Sequence, residues 1–255
     1  MIDIHSHILP DQDDGAATFE VALSMVRMAA AAGTTDIVAS PHANSQFAFH
    51  PAQVEQKIKT LQAAAGDSPR IHYGCDFHLT PENIDDAVAA PGKYSIDHKG
   101  YLLVEFADNM IPKSIEGIFS RMLTAGLQPI VTHPERNPLL QKRLPELELW
   151  VQRGCLIQVT AQSLLGRFGK SAKSVSEELM RRSLVHFLAS DAHDCQHRPP
   201  LLDEVWRLTA KQYGEDTARR LLEENPRAAL TGAEVSLDEV EIRKKSWFSV
   251  FRSKG

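Results

Sequence analysis

The chain has 255 residues, 43% hydrophobic and 24% charged, with a formal net charge of −5. That length and composition suit one large globular domain, and the acidic balance leaves no overall electrostatic case for nucleic-acid binding. No apolar run is long enough to cross a bilayer, and three widely spaced cysteines, Cys75, Cys155 and Cys195, argue against a disulfide framework and fit a reducing cytosol.

The opening MIDIHSHILP has no basic n-region and no long apolar core, so no secretory signal is expected. Beyond it, short apolar runs alternate with amphipathic stretches. Strand patterns fall at Met1–His5, Asp36–Ala39, Arg70–Phe77, Tyr101–Phe106, Pro129–His133, Leu156–Thr160 and His186–Ser190. Helix patterns fall at Phe19–Ala32, Ala52–Ala65, Lys113–Ala125, Leu144–Arg153 and Ser171–Arg182. Several helices close at a glycine (Gly33, Gly66, Gly126, Gly154), and Pro51 stands where a first helical turn tolerates it. This alternation predicts parallel strands with crossover helices, closed or nearly closed into an α/β barrel. From about Thr231 the character changes, and residues 242–255, IRKKSWFSVFRSKG, carry five basic residues and no acidic one. The expected division is a barrel over residues 1–235 and a basic, aromatic tail over 236–255. In that tail Trp247, Phe248, Val250 and Phe251 interleave with Arg243, Lys244, Lys245, Arg252 and Lys254, a pattern suited to an anionic membrane surface or to a disordered terminus.

The strongest chemical signal is where the polar residues fall. His5 and His7 follow the first strand, and residues two apart on an extended chain share a face. Asp191 and His193 repeat that spacing late in the chain. His42, Asp76 and His133 end three further strand patterns, Glu105 sits in the otherwise apolar YLLVEF, and Asp14 lies in the acidic loop Asp11–Asp14. In an α/β barrel all strand C-termini meet at one face, where active sites form. Nine candidate ligands would converge there, more than one ion needs, so two or three ions sharing carboxylates fit better. The mixture of imidazole and carboxylate suits Mn, Fe or Zn better than Mg or Ca. Any one of these histidines alone would read as structural, but Glu105 is costly to bury without a partner. His78 could reach the site edge. His50, His72, His98, His186 and His197 read as structural or surface residues, with His197 also a candidate to support a ligand.

The opening IDIHSH-ILPDQDDG, followed by SPH, YGCDFHL, LLVEF, VTHPERN, LASDAH with HRPP, and the late ENPRAAL, resembles the PHP (polymerase and histidinol phosphatase) family over roughly the first 230 residues. Within it the chain is most similar to the metal-dependent tyrosine-protein phosphatases of bacterial capsule and exopolysaccharide operons. The resemblance implies a distorted (β/α)₇ TIM-like barrel with a trinuclear, usually manganese, site. His5, His7 and Asp191 would hold one ion; Asp14, His42 and His193 a second; Glu105 and His133 a third. Asp76 would bridge two of them, at a position where the family often has Glu.

Phosphate-ester hydrolysis by hydroxide generated at such a site needs charge neutralisation, and the resemblance assigns Arg136 and Arg198 to phosphate binding, a role a guanidinium fork suits. Asp14, His193 or a coordinated water could serve as general acid. A cysteine-phosphatase mechanism fails, because the residues six positions after Cys75, Cys155 and Cys195 are Pro81, Ala161 and Leu201 rather than Arg. Asp11-Gln12-Asp13 superficially resembles an aspartyl-phosphate motif but follows Leu9-Pro10 in a loop, and is discounted. The expected activity is protein-tyrosine phosphatase, in the cytoplasm or at the inner face of the membrane, with a bacterial tyrosine kinase of polysaccharide export as partner. The rivals are histidinol phosphatase or another small phosphoester hydrolase, and a non-catalytic metal-binding scaffold.

Overall fold

The computed structural model describes residues 1–236. The membrane-surface reading of the tail concerns Ile242–Gly255 and lies outside the described residues. The chain runs β1 (Ile2–Ser6), α1 (Phe19–Ala31), β2 (Asp36–Ala39), β3 (His42–Ala43), α2 (Pro51–Ala65), β4 (Arg70–Tyr73), β5 (Asp76–His78) and α3 (Pro81–Ala89). It continues with β6 (Tyr101–Glu105), α4 (Ile115–Thr124), β7 (Gln128–Thr132), α5 (Leu144–Gln152), β8 (Leu156–Thr160), α6 (Ala161–Leu164), α7 (Gly169–Arg181) and β9 (Phe187–Ala189). Three helices follow: α8 (Asp203–Tyr213), α9 (Glu215–Arg219) and α10 (Asn225–Thr231).

All strand pairings are parallel, in two ladders ordered β1-β2-β4 and β3-β5-β6-β7-β8-β9. β2 and β3 are successive pieces of one barrel strand, interrupted at Ser40-Pro41, where proline brings no N–H to a ladder. β4 and β5 are likewise two pieces, so the expected single strand Arg70–Phe77 is corrected: it breaks at Gly74-Cys75. A Cβ on Gly74 would lie 2.5 Å from Val38 Cγ1, so this break brings backbone against the neighbouring strand. The circuit closes between β1 and the end of β9. There the Asp191 N–H donates to His5 O at 2.9 Å and the His7 N–H to Ala192 O at 2.8 Å. Seven strand positions therefore form the distorted barrel that the alternation predicts.

Side-chain alternation sorts the core. Ile2, Ile4, Val38, Leu103, Ile130 and Phe187 fill one apolar cluster with Ala229 and Leu230 of α10. Leu102, Val104, Val131, Ile157 and Leu188 face the other way, into the layer beneath the helices. The pairing of β1 with β2 slips between Asp3 and Ser6, so β1 carries one extra residue there. Such a bulge re-aims side chains: Ile2 and Ile4 stay in the core, while His5 and His7 turn toward the ligand-bearing face. The helix patterns omit α3 and α8–α10, whose apolar stripes are thin; α3 buries Ile84 and Ala87, and α8 Val205 and Thr209. Asn225 fastens α10 to the barrel by donating from Nδ2 to His186 O at 2.9 Å. No helix of the described residues is long and apolar enough to cross a membrane.

Candidate metal centre

The fold brings all nine expected ligands together at the C-terminal face of the barrel. Four overlapping groups have ligand atoms mutually within 4.8 Å: His7, Asp14, His42 and His193; His42, Asp76, His78 and Glu105; His5, His7 and Asp76; and His5, His133 and Asp191. His5 Nε2 and His7 Nε2 each lie 3.4 Å from Asp191 Oδ1. Asp14 Oδ1 lies 3.3 Å from His42 Nε2 and 3.5 Å from His193 Nε2. Asp76 Oδ2 lies 3.5 Å from His5 Nε2 and 3.2 Å from His42 Nδ1, and Glu105 Oε1 lies 3.6 Å from His133 Nε2. Asp14 is the open member, its side chain 55% exposed against 1% for Asp76.

The outer nitrogens of these rings are fixed by groups behind them. His5 Nδ1 is 2.9 Å from Gln158 Oε1, His7 Nδ1 is 2.7 Å from Asp13 Oδ2, and His193 Nδ1 is 3.0 Å from the Asp191 carbonyl. Each partner is an acceptor, so each ring carries its proton on Nδ1 and presents the Nε2 lone pair inward. With those Nδ1 protons in place, His5 Nε2 and His7 Nε2 face one another at 3.3 Å as the inward nitrogens. Both oxygens of the fully buried Asp76, and Glu105 Oε2, have no hydrogen-bond partner among the described residues. A buried carboxylate without a donor is costly. Inward imidazole nitrogens and buried carboxylate oxygens that converge in this way fit divalent cations, and the nitrogen content suits Mn, Fe or Zn.

The electrostatics follow from these contacts. Burial opposes charge on Asp76 and Asp191, but the neighbouring histidines and, at Asp191, Arg136 hold both well below the usual carboxylate range. His193 and His42 beside Asp14 likewise hold it below the usual carboxylate range, which makes it a ligand or base rather than an acid. Burial and then Arg136 push His133 down to about 4, leaving it neutral as a ligand must be. At His7 burial is outweighed by Asp13, and the ring rises to about 9, so the metal-free ring also carries a proton on Nε2 that it must release to become a ligand.

The two arginines sit beside this cluster. Arg136 Nη1 and Arg198 Nη2 both donate to Asp191 Oδ2, so that carboxylate offers Oδ1 to the histidines and Oδ2 to the guanidiniums. The ring of Phe168 lies over both, 4.4 Å from Arg136 Cζ and 5.8 Å from Arg198 Cζ. A cavity of about 120 Å³ is lined by Glu105, His133 and Arg136 together with Asp108 and Asn137. A larger one, about 530 Å³, is lined by Ile58, Tyr73 and Asp97 among others and contains none of the ligand set. His133 and Asp191 both have positive φ, 33° and 50°. Left-handed backbone at two non-glycine residues immediately beyond strands is strain of the kind held at functional sites.

Four residues here have roles that the strand-end pattern does not reveal. Asp13, discounted as part of a loop motif, orients His7. Gln158 orients His5; a polar residue inside the apolar strand LIQVT is its signal, by the argument that singles out Glu105. His78 reaches into the cluster rather than its edge, and Phe168 covers the arginines. His197 is exposed, and its backbone N–H donates to Asp194 Oδ1.

Fold and cluster together define an α/β barrel whose strand ends carry a histidine–carboxylate metal centre. The chain belongs to the capsular polysaccharide synthesis CpsB/CapC family, whose model matches residues 1–231. It is 33% identical to the tyrosine-protein phosphatase YwqE of Bacillus subtilis over 227 residues, covering 88% of this chain and 89% of that protein. It is 29% identical to the tyrosine-protein phosphatase CpsB of Streptococcus agalactiae over 243 residues, covering 90% and 98%. A solved structure from work on YwqE of Bacillus subtilis and CpsB of Streptococcus pneumoniae, described as metal-dependent tyrosine phosphatases, matches with a TM-score of 0.87 at 30% identity, covering 93% of this chain and 97% of that one. The lactonase Lmo2620 of Listeria monocytogenes matches at a TM-score of 0.57 and 13% identity, over 91% and 95% of the two chains, a likeness of fold alone.

Proposed function

We propose that this chain is a metal-dependent protein-tyrosine phosphatase acting on phosphotyrosine proteins of capsule or exopolysaccharide synthesis, with a bacterial tyrosine kinase as its physiological substrate. The observation that carries the reading is the buried histidine–carboxylate cluster around Asp76, whose oxygens lack hydrogen-bond partners among the described residues, with two guanidiniums beside it, in a chain whose relatives bear that activity in their names. His5, His7 and Asp191 would hold one ion, Asp14, His42 and His193 a second, and Glu105 and His133 a third, with Asp76 shared; manganese is the metal we assign. When bound, such ions activate water near neutral pH and neutralise phosphoryl oxygens.

The chain's own residues do the rest. Arg136 and Arg198 turn from Asp191 to the non-bridging phosphoryl oxygens, for which their planar forks are matched. Phe168 restricts both guanidiniums to that side of the cluster through its ring face. Asp13 and Gln158 keep His7 and His5 in the tautomer that leaves Nε2 bare. A tyrosine phenolate, with a conjugate-acid pKa of about 10, leaves without a strong general acid, consistent with an Asp14 held as carboxylate.

The test is initial hydrolysis rates of manganese-loaded protein on a phosphotyrosine peptide and on histidinol phosphate, with a chelated control. Peptide turnover that chelation abolishes is expected. Preference for histidinol phosphate would overturn the substrate, and no turnover on either with metal bound would overturn the enzymatic reading.

A further inference from the structure

At one corner of the cluster there is a donor that the three-ion assignment does not use. His78 lies two residues beyond Asp76 on β5 and so shares its face. Its Nε2 is 2.5 Å from Glu105 Oε2 and 3.1 Å from His42 Nδ1. Glu105 Oε2 nevertheless takes no hydrogen bond, and neither does either oxygen of Asp76, which is fully buried. Beyond these two contacts, Asn44 Nδ2 stands 3.4 Å from His78 Nε2, at the outer limit for a hydrogen bond.

His42 does not fill this corner. Its Nε2 belongs with Asp14, at 3.3 Å, and with the His7–His193 group. A neutral imidazole gives one lone pair, and its other nitrogen carries the proton. With Nε2 committed, His42 Nδ1 carries the proton and offers this corner no lone pair; it lies 3.1 Å from His78 Nε2, 3.2 Å from Asp76 Oδ2 and 3.3 Å from Glu105 Oε2. His133 stands on the opposite oxygen of Glu105, 3.6 Å from Oε1. That leaves His78 as the nitrogen on the Oε2 side. Metal–nitrogen and metal–oxygen bonds of about 2.0–2.2 Å place neighbouring ligand atoms roughly 3–3.5 Å apart, the range in which most contacts of this corner fall.

We propose that His78 is a tenth metal ligand, binding through Nε2 the ion held by Asp76 and Glu105. The proposal rests on the metal-centre reading above and extends it to a residue outside the family-implied set. It differs from a role in which His78 merely donates a hydrogen bond to Glu105, because a ligand needs the lone pair and a donor needs the proton.

His78→Gln separates the two roles: the amide N–H still donates to Glu105, but the imidazole lone pair is gone. Wild type, H78Q and H78A would be loaded with Mn²⁺, desalted and analysed for bound metal. The affinity of the weakest ion would be read from free Mn²⁺ by electron paramagnetic resonance, and circular dichroism would check folding. Both variants are expected to lose about one Mn equivalent or to hold the weakest ion at least about 10-fold less tightly. The proposal is overturned if H78Q matches wild type, whether or not H78A does. Failure of wild type itself to bind manganese would overturn the whole metal-centre reading, a result distinct from a loss confined to the variants. Should H78A fail to fold, H78Q, which keeps size and hydrogen bonding, decides alone.

Discussion

Asp13→Asn is the sharpest test of how the centre is assembled. The Asp13 carboxylate accepts three hydrogen bonds: from Gly15 N–H to Oδ1 at 3.0 Å, and from His42 N–H and His7 Nδ1–H to Oδ2 at 3.0 and 2.7 Å. An amide has one oxygen. Placed at Oδ2 it satisfies His42 and His7 but sets its NH₂ against the Gly15 N–H. Placed at Oδ1 it sets the NH₂ against the His42 N–H and drives the His7 proton from Nδ1 to Nε2, the wrong tautomer for a ligand. Either way one backbone donor, of Gly15 or of His42, goes unpaired, costing about 1–3 kcal/mol of stability in the metal-free protein. Loss of such an orienting carboxylate weakens metal binding roughly 10–100-fold, or about 1.4–2.7 kcal/mol. Isothermal titration of Mn²⁺ into the apo-protein and a urea unfolding curve read both quantities. Unchanged manganese affinity would refute the claim that the Asp13 carboxylate supports His7 as a ligand, and unchanged stability would refute the hydrogen-bond count.

Three further outcomes follow from other parts of the chain. Arg136→Lys keeps the charge and loses the fork, so kcat/KM on a phosphotyrosine peptide should fall roughly 10–150-fold, the equivalent of about 1.5–3 kcal/mol for a charge-assisted bond; steady-state kinetics check it, and a change below threefold counts against phosphate binding. His72, well outside the ligand set, lies 2.6 Å from Asp97 Oδ2 and 3.0 Å from Asp36 Oδ1, and these carboxylates raise its pKa against the opposing pull of burial. A raised folded pKa gives stability that is complete below the unfolded value of about 6.5 and is lost as pH rises through the folded one. His72→Gln should therefore lower the melting temperature more at pH 5.5 than at pH 9, and equal losses would remove the linkage. In Gly15→Ala the new Cβ would fall 2.1 Å from His7 O and 2.5 Å from His7 Cβ; the loop carrying Asp13 and Asp14 must move, and we expect about 1–3 kcal/mol lost in urea unfolding with weaker manganese retention.

How far the sequence discloses this site depends on what kind of interaction each residue makes. His5, His7, Asp191 and His193 are legible because period-two spacing at a strand end is a local property, and Glu105 because a charge inside an apolar strand has a cost that needs a partner. Gln158 carries the same kind of signal in LIQVT. Asp13 carries none, since its meaning depends on a loop folding back so that Ala16 N–H reaches His7 O at 3.0 Å. The interruption at Gly74-Cys75 is equally tertiary: Arg70–Phe77 reads as one strand, and the break becomes necessary only where neighbouring backbones approach. Helices α3 and α8 show the opposite failure, real helices whose few buried positions leave too weak a stripe to read.

Asp191 ties these levels together, because its two oxygens serve two parts of the site. Oδ1 faces His5 and His7, while Oδ2 accepts from both arginines, and the residue is held there by a backbone of positive φ. In the proposed reaction a phosphoryl group competes with Oδ2 for the guanidiniums. Its arrival frees that oxygen and withdraws positive charge from the carboxylate, which strengthens Asp191 as a ligand when the phosphoryl charge must be neutralised. Phosphate binding and metal binding are then coupled through one side chain, and linkage makes the coupling reciprocal. Inorganic phosphate should tighten Mn²⁺ binding by the same factor that Mn²⁺ tightens phosphate, and the double variant R136K/R198K should reduce that factor. Calorimetric titrations run in both orders measure it, and a factor left whole in the double variant would show that Asp191 does not transmit it.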